Sequence, residues 1–371
     1  MKNRLYDATK IDWDNLMFST KELWMLLIPI MVEQMLNSLM GMADTMMVSN
    51  VGSVAMSAVS LVDSINTLVI QVFAALATGA AIICSHYLGK GDERGANKAA
   101  RQIFLTVIVI SLTITAGGLI FCRPLLRLIF GAVEPAVMED SIIYFLITAS
   151  SYPFIALFNA GGAFYRAGGN SKFPMQISII SNVLNIIGNA VLIFGCDMGV
   201  AGAAISTLVS RVFCAIVVLF FLRKPKQKIV LNQYHTIRPD FPLIGKVLAI
   251  GIPAGVENGM FQFGKLAIQS TVSTLGTQAI AAQAMTVIFE NVNGIAAIAV
   301  GIGLMTVAGQ AFGAGRKEEA KYYIIKLTGY AEIVLIISCA VTFLISRPIM
   351  HLAGMEAESM ELCYQDRKSV V

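Results

Sequence analysis

The chain has 371 residues, of which 56% are hydrophobic and 13% are charged, and its formal net charge is +4. Soluble domains carry about 25% charged residues, so this composition excludes an ordinary soluble protein. No basic patch stands apart from the predicted loops, which argues against a nucleic-acid partner. Continuous apolar runs, each near the roughly 20 residues that cross a bilayer, predict an all-α polytopic membrane protein surrounded by lipid.

The apolar runs predict nine complete transmembrane helices and the start of a tenth. The nine spans are residues 23–48, 54–88, 99–121, 139–165, 174–195, 201–222, 243–273, 278–312 and 321–345. Lys and Arg concentrate in every second linker, whereas the alternate linkers contain only Arg123, Arg127 and Arg347. This asymmetry predicts a multi-pass protein of the cell (inner or plasma) membrane with a cytoplasmic N-terminus.

A duplicated segment organises the chain. Shifting the sequence by 224 positions places Pro29 on Pro253, Glu33 on Glu257 and Gly89 on Gly313 without a gap. Self-similarity at one offset indicates an internal repeat, as in many transporters. Because six spans separate the copies, we predict two parallel six-helix repeats.

The predicted lobes are unequal. Residues 1–222 form an N-lobe of six helices, residues 223–242 form a basic cytoplasmic linker, and residues 243–371 form a partial C-lobe of three helices and part of a fourth. We expect that the chain is C-terminally truncated; a naturally short second lobe is the alternative.

The first span carries two carboxylates, Glu33 and Asp44, and helical spacing places Glu33, Asn37 and Asp44 on one face. A carboxylate in a membrane helix costs about 2.5–3.5 kcal/mol on insertion scales, and it usually faces a polar cavity or a partner. Asp44 therefore either lies on an ion or substrate pathway or reaches water at the outer mouth.

Amide side chains form a stripe along the fifth span. Its members are Ser178, Asn182, Asn185 and Asn189, and Asn159 and Thr207 add oxygens from the neighbouring spans. The stripe is either hydrogen-bonding glue between helices or a binding site. With Asp44 it would make an oxygen-only set with one carboxylate, which suits Na⁺ or a proton.

Polar residues also interrupt the other apolar spans. Those of the second repeat include Glu257, Lys265, Gln283 and Glu290, and span two carries Asp63 and Asn66. Each group either contacts substrate or forms a pair that fixes helix packing.

Several function classes lack a motif. The loops 89–94 and 313–318 contain two glycines each but lack the phosphate-binding pattern, so we interpret them as helix caps and tight turns. The sequence shows no ATPase motif, nucleophile–base pair or metal-ligand triad, and the six cysteines show no ligand spacing. We therefore expect no enzyme activity and no cofactor, and transport driven by an ion gradient.

Four segments carry a resemblance to a known family. They are P-x-x-x-E…D-T-x-x-V (29–48), F-x-R-A-x-G-N-S-K-x-P-M (164–175), G-V-A-G-A-A (199–204) and Q-x-x-G-x-G (310–315). In order and spacing they resemble the MATE (multidrug and toxic compound extrusion) family. The resemblance implies two six-helix bundles around a central cavity and exchange of H⁺ or Na⁺ for organic cations.

The resemblance also assigns candidate residues. It implies that Asp44 is the first-helix acid of an N-lobe cation site and that Asn159, Asn185 and Thr207 are further members. Asn189 stands where many relatives have an aspartate, which removes one negative charge. A Na⁺ site would use Asp44, Asn185 and Thr207, and substrate-cavity candidates are Glu33, Asn37, Asn182, Glu257, Gln283 and Glu290.

We therefore predict a monomeric secondary antiporter that exports hydrophobic or cationic small molecules by alternating access, with H⁺ or Na⁺ as the coupling ion. Two alternatives stay open: a flippase for lipid-linked precursors from the same superfamily, and an inactive truncated fragment.

Overall fold

The computed structural model describes residues 6–130, 134–225, 227–231, 238–273 and 277–352, although the side chains of 42, 45, 53, 266, 269, 270, 272–285, 288 and 346–352 are not described. The described part is almost entirely helical and contains no strand, which confirms the all-α prediction. Its helices are α1 (Thr20–Ser49), α2 (Ser53–Gly89), α3 (Glu93–Ile120), α4 (Cys122–Phe130), α5 (Pro135–Ser150), α6 (Tyr152–Ala167), α7 (Lys172–Asn189), α8 (Gly199–Leu222), α9 (Phe241–Ser273), α10 (Thr277–Gly313) and α11 (Lys317–Leu352).

Seven of the described helices are long and apolar enough to cross a membrane, and α5 with α6 gives an eighth if the bent pair is one span. The predicted span 139–165 is thus two helices that meet at an angle of 42°. Pro153 lies in the first turn of α6, where its missing N–H costs nothing but the preceding helix cannot continue through it. The predicted span 243–273 corresponds to α9, a continuous helix of 33 residues. Its apolar run is interrupted by the charged residues Lys246, Glu257 and Lys265.

The contacts between helices repeat the duplication. Helix α2 packs against α9, and α10, its counterpart 224 residues later, packs against α1. At the α2–α10 crossing, a Cβ on Gly89 would collide with the backbone of Gln310, and one on Gly313 would collide with the backbone of His86. His86 and Gln310 are also 224 positions apart, so the two contacts are copies of each other.

Helix α1 joins the two repeats. It begins with a capping box in which Ser19 and Glu22 exchange hydrogen bonds, a device that satisfies backbone donors at a helix start. Its first half then packs Leu23, Leu27 and Ile30 into a core with α10 and α11. The second half of α1 runs toward α7 and α2, where the polar side chains of the first repeat lie.

Candidate functional site

The predicted polar residues of α1, α7 and α8 meet in one hydrogen-bonded chain. Asn189 donates from Nδ2 to Oδ1 of Asp44 at 2.5 Å and to Oδ1 of Asn185 at 3.4 Å. Asn185 in turn donates from Nδ2 to the hydroxyl of Thr207 at 3.3 Å. The structure therefore brings together four of the five residues expected in the ion site.

The local fold of α7 places these amides. Asn185 and Asn189 are one helical turn apart and fully buried, so both face into the bundle toward α1 and α8. The α-helix ends at Asn189 and continues as a π-helical turn over Ala190–Gly195. Such turns are rare and often occur at functional sites.

The chain of bonds leaves an acceptor open. Oδ1 of Asn189 is buried and has no hydrogen-bond partner within the described part of the chain. A buried polar atom without a partner is costly, and an amide oxygen beside a carboxylate can bind a cation. No cluster of three or more His, Cys, Asp or Glu suited to a metal ion occurs among the described residues.

A second polar group lies next to the first. Asp63 on α2 accepts hydrogen bonds from Asn66 at 3.1 Å and from the hydroxyl of Tyr144 on α5 at 3.3 Å. The hydroxyl of Tyr152 on α6 donates to Oδ1 of Asn66 at 2.8 Å. Nη1 of Arg211 on α8 donates to the hydroxyl of Ser151 at 2.7 Å.

The two groups are close enough to interact electrostatically: the charges of Asp63 and Arg211 both act on the Asp44 carboxylate. Sequence reasoning left the role of Asp63 and Asn66 open and missed Tyr144, Tyr152 and Ser151. Two tyrosine hydroxyls eight residues apart inside an apolar run were the available signal, since a buried hydroxyl needs a partner.

Comparison with known proteins decides the family. The MatE family model matches residues 29–191 and 253–365. The chain belongs to the MATE family. The two matches start at Pro29 and Pro253, which are an aligned pair of the 224-residue repeat.

Individual MATE-related proteins agree with this assignment. The chain is 30% identical to the uncharacterized transporter YisQ of Bacillus subtilis, over 72% of this chain and 59% of YisQ. It is 26% identical to the probable multidrug resistance protein NorM of Thermotoga maritima, over 92% of this chain and 74% of NorM. A crystal structure of MATE in complex with MaL6 superposes with a TM-score of 0.86 at 22% identity, covering 94% of this chain and 77% of that one.

These findings confirm a MATE-type helical membrane protein of the transporter class rather than an enzyme. The chain spans less than two thirds of the length of YisQ and about three quarters of NorM.

The polar residues predicted on one face of α1 lie in different environments in this fold. Glu33 is buried and forms an ion pair with Arg166 of α6, with Nη1 3.2 Å from Oε2, whereas Asn37 is exposed. Asn182 is buried but donates to the carbonyl of Ser178 in its own helix. Asn159 is half-buried on α6, and the hydrogen bonds found among the described residues do not connect it to Asp44.

The candidates of the second repeat do not form a comparable cluster within the described residues. Glu257 is exposed, while Lys265 on α9 pairs with Glu290 on α10 at 3.0 Å. Lys265 also lies over the ring of Phe261, 5.0 Å from its centroid. This favours the interpretation of Lys265 and Glu290 as a pair between helices. The side chain of Gln283 lies outside the described residues.

The glycine loops are helix caps and turns, as predicted. Gly91 and Gly315 have φ of 74° and 78°, a left-handed conformation that glycine adopts without strain. Asp92 caps the start of α3 by accepting from the N–H of Gly95. Gln310, which opens the second loop motif, donates to the carbonyl of Ala167 at the end of α6 at 2.6 Å.

Proposed function

We propose that this chain is a secondary antiporter that exports a hydrophobic organic cation in exchange for H⁺ or Na⁺ by alternating access. The observation that carries the proposal is the contact between Asp44 and Asn189 inside an apolar helical bundle of the MATE family. The proposal includes a cell-membrane location, a cytoplasmic N-terminus, a monomer, and lobes at residues 1–222 and 243–371 joined by a linker at 223–242.

The chemistry of the site supports ion coupling. An ionised carboxylate among apolar helices costs free energy unless a proton, a cation or hydrogen bonds compensate its charge. Asn189 supplies one hydrogen bond to Asp44 and keeps its own Oδ1 free. Asn185 and Thr207 add oxygens of the type that hard monovalent cations accept.

Exchange follows if the same acid serves two ligands in turn. A proton or Na⁺ that neutralises Asp44 competes with a cationic substrate, because both lower the cost of the same charge. The MATE relationship implies that this exchange is ion-driven and needs no bound cofactor. The relative NorM is described as a probable multidrug resistance protein, which is consistent with a small-molecule substrate here.

Flipping of a lipid-linked precursor is less well supported. That function calls for cationic side chains available to phosphate groups. Arg166 is paired with Glu33, which leaves Arg211 as the one of the two guanidinium groups without an acid at ion-pair distance among the described residues. One guanidinium is a weak basis for binding a diphosphate.

The test uses the purified chain in proteoliposomes loaded with a fluorescent organic cation such as ethidium. An imposed inward gradient of H⁺ or Na⁺ should accelerate ethidium release, and an ionophore that collapses the gradient should abolish the acceleration. Equal release from protein-containing and protein-free vesicles would contradict the proposal. Parallel vesicles with a fluorescent lipid-linked phosphate test the flippase alternative.

A further inference from the structure

A second cluster of charged and polar side chains, from α2, α5, α6 and α8, lies beside the predicted ion site. Asp63 is half-buried on α2, and its carboxylate is held by Asn66 and the Tyr144 hydroxyl. By helical rise, Asp63 lies ~15 Å into the bundle from the start of α2, and Arg211 ~18 Å from the start of α8. Both helices start on the side of the bundle where α1 ends, so the two residues lie at similar depth.

Arg211 is incompletely satisfied. Its Nη1 donates to Ser151, but its Nε is buried and has no partner within the described part of the chain. No acid of the described residues approaches it within the 4.0 Å of an ion pair, although it interacts electrostatically with Asp63 and Asp44. A guanidinium is always charged and presents five donors, so this one is a fixed positive charge with donors to spare.

Charged and titratable side chains from several helices face one another beside the predicted ion site. They are Asp44 on α1, Asp63 on α2, Tyr144 on α5, Tyr152 on α6, and Arg211 and Cys214 on α8. From α7 the neighbours are the neutral amides Asn185 and Asn189. With both acids ionised, two negative charges face one positive charge, and the site has a net charge of −1.

We propose that Asp63 is a second ion-coupling carboxylate and that Arg211 is a resident counter-cation, so that the N-terminal bundle takes up one monovalent cation or proton per cycle. The coupling role of Asp63 rests on the proposed function, whereas the net charge of the site does not. Asn189 occupies the position where the family resemblance implies an aspartate. In this chain the second carboxylate comes from α2 instead of α7, and the guanidinium offsets one of the two acids.

Charge-changing variants make the proposal testable. Asp63→Asn brings the net charge of the site to zero, and Arg211→Gln brings it to −2. The double variant D63N/R211Q returns the net charge to −1. Ion binding is read on the purified full chain in detergent as the shift of the unfolding midpoint. One series varies Na⁺ against choline at constant ionic strength and pH 8, and a second varies pH in choline.

We expect the ion affinity of the variants to follow the net charge of the site. R211Q should bind Na⁺ or protons on the order of tenfold more tightly than the wild type, because a nearby positive charge has been removed from a poorly screened site. D63N should lose the dependence on both ions, and D63N/R211Q should regain it. Arg211→Lys, which keeps the charge but not the planar fork, should resemble the wild type.

Other outcomes overturn the proposal. If D63N and R211Q lower the unfolding midpoint equally and leave its ion dependence unchanged, the cluster is structural. If R211Q does not fold, D63N can still be compared with D63N/R211Q. A purely structural role of the cluster predicts that the double variant does not regain the ion dependence that D63N loses. These measurements need no substrate: a charge-ordered ion dependence in a chain that fails to release ethidium would support this inference and contradict the proposed function.

Discussion

Nη1 of Arg166 lies 3.2 Å from Oε2 and 3.3 Å from Oε1 of Glu33, so a guanidinium near the end of α6 is bound to the first half of α1. Both side chains are almost fully buried, with 10% and 6% of their surface exposed. The charges compensate each other where water cannot. Glu33 therefore connects α1 to α6 through this ion pair, and the acid left for ion exchange on α1 is Asp44.

This pair predicts an asymmetric mutational effect. Arg166→Met leaves the Glu33 carboxylate buried and uncompensated, which should cost about 3–5 kcal/mol of stability. The double variant E33Q/R166M removes both charges and should recover a large part of that loss. Thermal unfolding of the detergent-purified protein measures the effect, and equal losses in the single and double variants would show that the charges do not interact.

The glycines at the α2–α10 crossing predict a steric effect. Gly313→Ala places a Cβ against the backbone carbonyl of His86, which cannot rotate away, so the variant should unfold at a lower temperature or fail to accumulate. Gly301→Ala on the same helix meets nothing within 4 Å. This control should be neutral or stabilised by up to about 1 kcal/mol, since alanine favours helix over glycine.

If the contact is duplicated as described, Gly89→Ala should cause a loss similar to that of G313A. A normal unfolding temperature for both G89A and G313A would contradict the close helix approach.

Several hydrogen bonds anchor the segment before α1 to the start of α11, and the hydroxyl of Tyr323 makes the ones to Phe18. Tyr323 is fully buried, and its OH accepts from the N–H of Phe18 and lies 2.8 Å from Oε1 of Glu319. Tyr323→Phe removes that partner and should cost about 1–3 kcal/mol, the usual penalty for a buried donor left unpaired. Faster trypsin cleavage before residue 20 would report the release of the segment.

The neighbouring Tyr322 provides the control for this experiment. Its ring contacts Trp13 at 5.1 Å between centroids, and Tyr322→Phe preserves that contact. If Y323F and Y322F are cleaved at the same rate, the hydroxyl of Tyr323 does not anchor the segment.

Much of the fold could be predicted because the relevant signals are local in the sequence. Apolar run length predicts the helices, and the 224-residue offset predicts that contacts occur in related pairs, as Gly89 and Gly313 show. The proline at 153 was also visible, yet the span 139–165 was predicted as one helix. A membrane helix tolerates proline, so the residue alone does not reveal a bend of 42°.

Part of the site could not be predicted, because convergence is a tertiary property. Helical spacing places Glu33 and Asp44 on one face of α1, but only the position of Arg166 on α6 separates their roles. Lys265 finds its partner in Glu290, a residue of the next helix, rather than in Glu257. Likewise, Asp63 and Tyr144 are 81 positions apart, and no local pattern connects them.

The most direct test of the central claim is Asp44→Asn in the proteoliposome assay, beside Asp92→Asn as the matched control. Asp92 caps α3 outside the apolar core of the bundle, and asparagine caps a helix about as well, so D92N should retain gradient-driven ethidium release at the wild-type rate. D44N lacks the carboxylate for which ion and substrate compete in the proposed exchange, and it should fall to the rate of protein-free vesicles. Gradient-driven release by D44N at the wild-type rate, with equal amounts of reconstituted protein, would contradict the account.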